Sequence, residues 1–204
     1  MSNYQKLLFQ LEQIARKNFH PNYTFQKEDF PFILRLAAYF LNDEEKCKEL
    51  EIDLDKGILL TGPIGIGKTT WFRLMQQIMV KEQKFYYTTC RDVSFEFIRV
   101  GYDTIDKYSR GIPYDFPMRN ICFDDLGTEN NLKYFGNECN VMAEVILSRY
   151  DLFITHDIKT HITTNLSASE IEKYYTERVR SRLRQMVNVL AIPPDRKDKR
   201  GWIV

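Results

Sequence analysis

Apolar and β-branched residues gather into five short runs, separated by stretches whose apolar positions recur at helical spacing. The runs Gly57 to Thr61, Lys84 to Cys90, Asn120 to Phe123, His161 to Thr164 and Val187 to Ile192 predict strands. Between them, Trp71, Leu74, Met75, Ile78 and Met79 share one face of a predicted helix from Lys68 to Lys81. Helices are also predicted over Asp92 to Gly101, Asn137 to Tyr150, Ser167 to Tyr174 and Thr176 to Met186, with Ser167 as N-cap and Glu170 completing a capping box. Tyr102 to Met118, with Gly111, Pro113 and Pro117, reads as irregular. Strands alternating with helices predict an α/β fold: a mainly parallel, five-stranded sheet in a three-layer α-β-α sandwich.

Ahead of the first strand, Tyr4, Leu7, Leu8, Leu11, Ile14 and Ala15 recur as one face of an amphipathic helix, suited either to packing on the domain or to docking a partner. His20-Pro21-Asn22-Tyr23 breaks it, an apolar helix follows from Phe30 to Leu41, and the charged stretch from Asn42 to Asp55 reads as a solvated helix and connector. Three parts are therefore expected: a helical extension over 1–55, the α/β domain over 56–192 and a tail over 193–204.

Chemistry enters at the end of the first strand. Gly62-Pro63-Ile64-Gly65-Ile66-Gly67-Lys68-Thr69-Thr70 fits the P-loop pattern G-x-x-x-x-G-K-[ST] at every fixed position. Its glycines allow consecutive N–H groups to turn inward around a phosphate, and the helix that follows presents its N-terminus to the same anion. Lys68 is expected to face the β- and γ-phosphates and the Thr69 hydroxyl to ligate Mg²⁺. A glycine-rich turn with a chance Gly-Lys-Thr is the plainer alternative, and the flanking strand and helix weigh against it. Asp124 and Asp125 close the third predicted strand, the place where ligands meet open parallel sheets. Asp124 fits a Walker B aspartate in the Mg²⁺ shell, and Asp125 a carboxylate that polarises the attacking water. Read without the P-loop, the pair would be a turn signal before Gly127.

Composition narrows the partners. The 204 residues, 44% hydrophobic and 28% charged, suit one substantial core, and a net charge of +1 leaves any polyanion contact to local patches. The opening Met-Ser-Asn-Tyr-Gln-Lys is unlike a signal peptide, and no apolar run nears the ~20 residues of a membrane span, so a cytoplasmic location is expected. Cys47, Cys90, Cys122 and Cys139 show no C-x-x-C pairing; Cys90 and Cys122 fall in predicted strands as small hydrophobes.

Together these stretches resemble AAA+ ATPases of the DnaC/IstB type, the helicase loaders and transposition helper ATPases. The likeness runs through Gly62 to Thr69, Ile121 to Gly127 with Glu129, Thr163-Thr164-Asn165-Leu166-Ser167, Glu177-Arg178-Val179-Arg180-Ser181-Arg182-Leu183 and the short strand after it, roughly residues 55 to 192. It implies that Asn165 is the sensor 1 residue orienting the lytic water, on a strand between those of the P-loop and Walker B. It also implies that Arg182 is an arginine finger serving a neighbouring subunit, with Arg178 as reserve, in a homo-oligomer that hydrolyses ATP weakly in isolation. The plainer alternative for Asn165 is a turn residue before a helix cap, and exposed helical arginines are commonly solvating charges. The implied partner is a replicative helicase, or a transposase on the IstB side. Only Pro193 to Val204 follow the last strand, too little for the helical lid of many AAA+ proteins, and the N-terminal extension is short.

ATP is favoured by the resemblance, and no Asn-Lys-x-Asp guanine-reading stretch is present. A small-molecule kinase and a nucleotide-gated binding module are the competing classes. For single-stranded DNA the candidate is Arg99 to Arg119, where Arg99, Lys107, Arg110 and Arg119 mix with Tyr102, Tyr108 and Tyr114. Asp103, Asp106 and Asp115 dilute that charge, and loop tyrosines often only pack.

Overall fold

A computed structural model describes residues 3–112, 114–129, 132–134, 137–196 and 198–199. The chain divides into two compact units, one drawn from the described residues of Met1–Leu54, Pro63–Lys84 and Ile192–Val204, the other from Asp55–Gly62 and Phe85–Ala191.

The second unit holds the sheet. Its strands are β1 (Gly57–Thr61), β2 (Tyr86–Thr89), β3 (Ile121–Leu126), β6 (Thr160–Thr164) and β7 (Val187–Ala191), all parallel and ordered β2-β3-β6-β1-β7. This is the α/β class and the five-stranded sheet that the alternation predicts. Helices α5 (Cys90–Val100), α6 (Asp103–Ser109), α7 (Val141–His156) and α8 (Ala168–Met186) belong to the same unit. Its core joins Phe97, Ile121, Phe123, Ile146, Ile162 and Val179, each 1% exposed or less. Arg149 of α7 is buried beside it. Its guanidinium donates to Thr160 Oγ1 and to the carbonyls of Tyr108, Arg119 and Lys159 at 2.7–3.0 Å, and burial pushes its pKa down to about 9.

The first unit is helical: α1 (Asn3–Asn18), α2 (Phe30–Phe40), α3 (Glu44–Glu49) and α4 (Lys68–Ile78). Leu11 and Ala15 of α1 and Leu36, Ala37 and Phe40 of α2 are buried, so the expected apolar faces do pack within this unit. Trp71, Phe72, Leu74 and Met75 bury the apolar face of α4, with Phe40 and Phe72 edge to face at 5.8 Å.

Several boundaries differ from the sequence expectation. α4 stops at Ile78, not Lys81: Met79 is extended, and the Val80 N–H donates to the Phe40 carbonyl at 3.0 Å. Cys90 opens α5 instead of closing β2, because the Thr89 hydroxyl caps the Asp92 N–H. The supposedly irregular segment contains α6, which buries Thr104 and Tyr108. Asn137–Cys139 is β5, antiparallel to β4 (Leu132–Tyr134), and α7 begins only at Val141, where the Asn140 side chain accepts the Ala143 N–H at 3.0 Å. The capping box at Ser167 and Glu170 forms as expected. Tail residues 197 and 200–204 lie outside the described residues, as does Pro113 of the supposedly irregular segment.

Candidate nucleotide site

The P-loop starts on the sheet. β1 delivers Gly62, whose N–H donates to the Thr164 carbonyl of β6 at 3.3 Å. The next residues belong to the helical unit, where Gly65 and Gly67 take φ of 80° and 99°, a conformation that L side chains rarely adopt. Gly67 is also the N-cap of α4, and its carbonyl accepts the Trp71 N–H at 2.9 Å. A Cβ at Gly67 would lie 3.2 Å from the Trp71 indole nitrogen. Ile66 is buried and anchors the turn, while Ile64 is exposed. Lys68 opens α4 and is 5% exposed, with its ammonium donating to the Pro63 carbonyl at 2.7 Å. Thr69 and Thr70 are half-buried in the first helical turn. A left-handed glycine turn, a buried lysine and a helix N-terminus in succession can bind an anionic phosphate group.

At the end of β3 the two acids have unlike surroundings. Asp124 is 2% exposed, and both carboxylate oxygens accept hydroxyls at 2.5 Å, Oδ1 from Thr163 of β6 and Oδ2 from Tyr87 of β2. The pairing of β3 with β6 is irregular between Phe123 and Leu126, and Asp125 sits there at φ 57°. Its N–H donates to Thr163 Oγ1 at 2.9 Å, its carbonyl accepts the Thr128 hydroxyl at 2.8 Å, and the residue is half-exposed. Gly127 follows at φ 101°, and its N–H donates to Glu129 Oε2 at 3.0 Å; Glu129 Oε1 accepts the hydroxyl of the buried Tyr175. Burial and the Glu129 charge push the Tyr175 hydroxyl pKa far upward.

Asn165 follows β6, which lies between β1 and β3 in the sheet, the strand position that the resemblance implies. Asp124, Asp125 and Asn165 thus come from neighbouring strand ends of one sheet. Arg182 is not gathered with them: its guanidinium lies 4.2 Å over the Tyr150 ring of α7. Arg178 and Arg184 are exposed, and Arg180 pairs with Glu172.

The segment from Arg99 to Arg119 divides in two. Lys107 pairs with Glu96 at 2.8 Å, and Tyr108 is buried with its hydroxyl on the same carboxylate, so both serve packing. Arg119 lies 4.6 Å over Phe116. Arg99, Tyr102, Arg110 and Tyr114 remain exposed, a smaller set than the sequence suggested.

The sequence pattern does not single out Thr163 and Tyr87, which hold Asp124. Thr163 precedes Asn165 by two positions in the same strand-end motif, and that was the one available signal. Tyr87 depends on strand order, which the sequence does not display.

No protein-family model matches the sequence, and no curated protein is found similar to it. Solved structures do match. The DnaC helicase loader aligns with a TM-score of 0.55 at 21% identity over 89% of this chain and 99% of that one. DnaI aligns at 0.56 and 16% identity over 89% and 93%, and a candidate primosome component from Streptococcus pyogenes serotype M3 at 0.54 and 17% over 84% of each chain. At these identities the likeness shows the fold alone, an α/β fold like those of the DnaC helicase loader and DnaI.

Proposed function

We propose that this chain binds ATP with Mg²⁺ through residues 62–70, hydrolyses it slowly, and acts as a DnaC-like loader for a replicative helicase. The observation that carries the nucleotide reading is the pair of left-handed glycines, Gly65 and Gly67, leading into the buried Lys68. Lys68 neutralises the β- and γ-phosphates. Thr69 and Asp124 are hard oxygen donors suited to Mg²⁺, which needs few protein ligands because phosphates and water complete its octahedron. Asp125 polarises water, Asn165 orients it, and Arg182, or Arg178 in its stead, serves a neighbouring subunit in a homo-oligomer. The loader role is supported by the folds of the DnaC helicase loader and DnaI. Arg99, Tyr102, Arg110 and Tyr114 are the residues we assign to single-stranded DNA. Among the described residues no helix is long and apolar enough to cross a membrane.

Phosphate release from ATP, followed with and without Mg²⁺, single-stranded DNA and a replicative helicase, tests the proposal. We expect slow, Mg²⁺-dependent release that rises when DNA or helicase is added. Binding without release under any condition would favour a nucleotide-gated module, and release that ignores both additions would contradict the loader role.

A further inference from the structure

The described residues after β7 return to the P-loop within the helical unit. Pro193 and Pro194 end the strand, and the Arg196 N–H turns back to the Pro193 carbonyl at 3.4 Å. Arg196 and Lys199 then close on one carboxylate, Arg196 on Oδ1 and Lys199 on Oδ2 of Asp29, which is fully buried. Their side chains are only 11% and 14% exposed, and the Lys199 ammonium lies 5.1 Å over the Trp71 ring. Those anchors set the two residues that meet the loop. The Lys199 N–H donates to the Gly65 carbonyl at 3.1 Å. The Asp198 carboxylate lies so close to Gly65 that a Cβ there would fall 1.9 Å from Oδ1 and 2.4 Å from Oδ2.

A carboxylate offers what a phosphate offers such a loop: negative charge and several oxygen acceptors. Held against the middle residue of the loop, it both takes room and repels a second anion. We propose that residues 192–196 and 198–199 form a strap that holds Asp198 on the P-loop, and that a nucleoside triphosphate must displace it to bind. This rests on the nucleotide reading above. The loop is competent only in the fraction of molecules whose strap is released, so the apparent affinity falls by that fraction. Asp29, Arg196 and Lys199 set the fraction, and any partner that pulls the strap away would raise nucleotide affinity without touching the loop.

Titration calorimetry with ATP and Mg²⁺ on the full chain tests this, comparing the intact protein with Asp198→Ala, Asp198→Asn and the double variant Arg196→Gln/Lys199→Gln. Thermal melts identify the variants that fold. Asp198→Ala removes the competing anion, and the double variant releases it by cutting its anchors. Both are expected to bind ATP about fivefold tighter or more, the usual lower range of such couplings, with Asp198→Asn intermediate. Unchanged or weaker affinity in Asp198→Ala overturns the strap. Weaker affinity confined to the double variant would make Arg196 and Lys199 phosphate ligands and overturns it equally. If no form binds ATP, the intact chain included, the nucleotide reading itself has failed and takes this inference with it.

Discussion

Asp124 and Asp125 are adjacent in sequence, yet one is sealed between two hydroxyls and the other is half-exposed at a positive φ. That difference makes separable predictions. Asp125→Asn should leave Mg²⁺-dependent ATP binding near the intact value and abolish phosphate release. Asp124→Asn should weaken binding in Mg²⁺ as well, and also loosen Thr163 and Tyr87. Nucleotide titration beside single-turnover hydrolysis checks both, and identical behaviour would contradict the division of roles. His161 yields a pH prediction. Its Nδ1 accepts the Ile58 N–H at 3.1 Å, and burial, followed by the Lys159 and Arg149 charges, lowers its pKa from 6.5 to about 3. Between those values the unfolded chain binds a proton that the folded chain does not, so stability falls as pH drops below about 6.5. At pH 5 the loss from this residue is about 2 kcal/mol. Denaturant unfolding at pH 7 and pH 5 should show it, and His161→Gln should remove that share of the dependence.

Among the elements, α8 carries the arginines and a break. Its capping box was legible because Ser167 and Glu170 state the chemistry locally. The interruption was legible only as a boundary between two predicted helices at Thr176, where the structure has φ 82° and ψ 158°, a region suited to glycine. Thr176→Gly should therefore stabilise the fold by about 1 kcal/mol, read as a raised thermal midpoint; a lowered midpoint would mean the backbone is not strained there. β1 was readable to the residue, since a buried parallel strand shows as an unbroken apolar run before its loop. By contrast, α6 was hidden among Gly111, Pro113 and acidic residues, because its apolar face amounts to little more than Ile105 and Tyr108. The start of α7 was misread because Asn137 to Cys139 carries no clear period, and the Asn140 cap outweighed propensity. The turn from β1 into α4 was legible from its glycines, whereas the hydroxyl clamp on Asp124 needed the order of strands.

At the scale of the whole molecule, an arginine supplied in trans requires subunits to cooperate. Arg182 lies over Tyr150 of its own chain, and an arginine supplied to a neighbour's γ-phosphate is worth roughly 10³–10⁵ in turnover in well-studied NTPases. Arg182→Ala and Lys68→Ala should each be inactive alone. Mixed together they should regain activity, because some interfaces then pair an intact loop with an intact arginine. No recovery in demonstrated mixed oligomers would return Arg182 to a packing role. All of this depends on the loop itself. ATP titration of the intact chain against Lys68→Ala, with melting curves showing both folded, addresses it directly. The intact chain should show Mg²⁺-dependent binding that is weakened at least about tenfold when the lysine is lost, a change of about 1.4 kcal/mol. Equal dissociation constants in two folded proteins would contradict it.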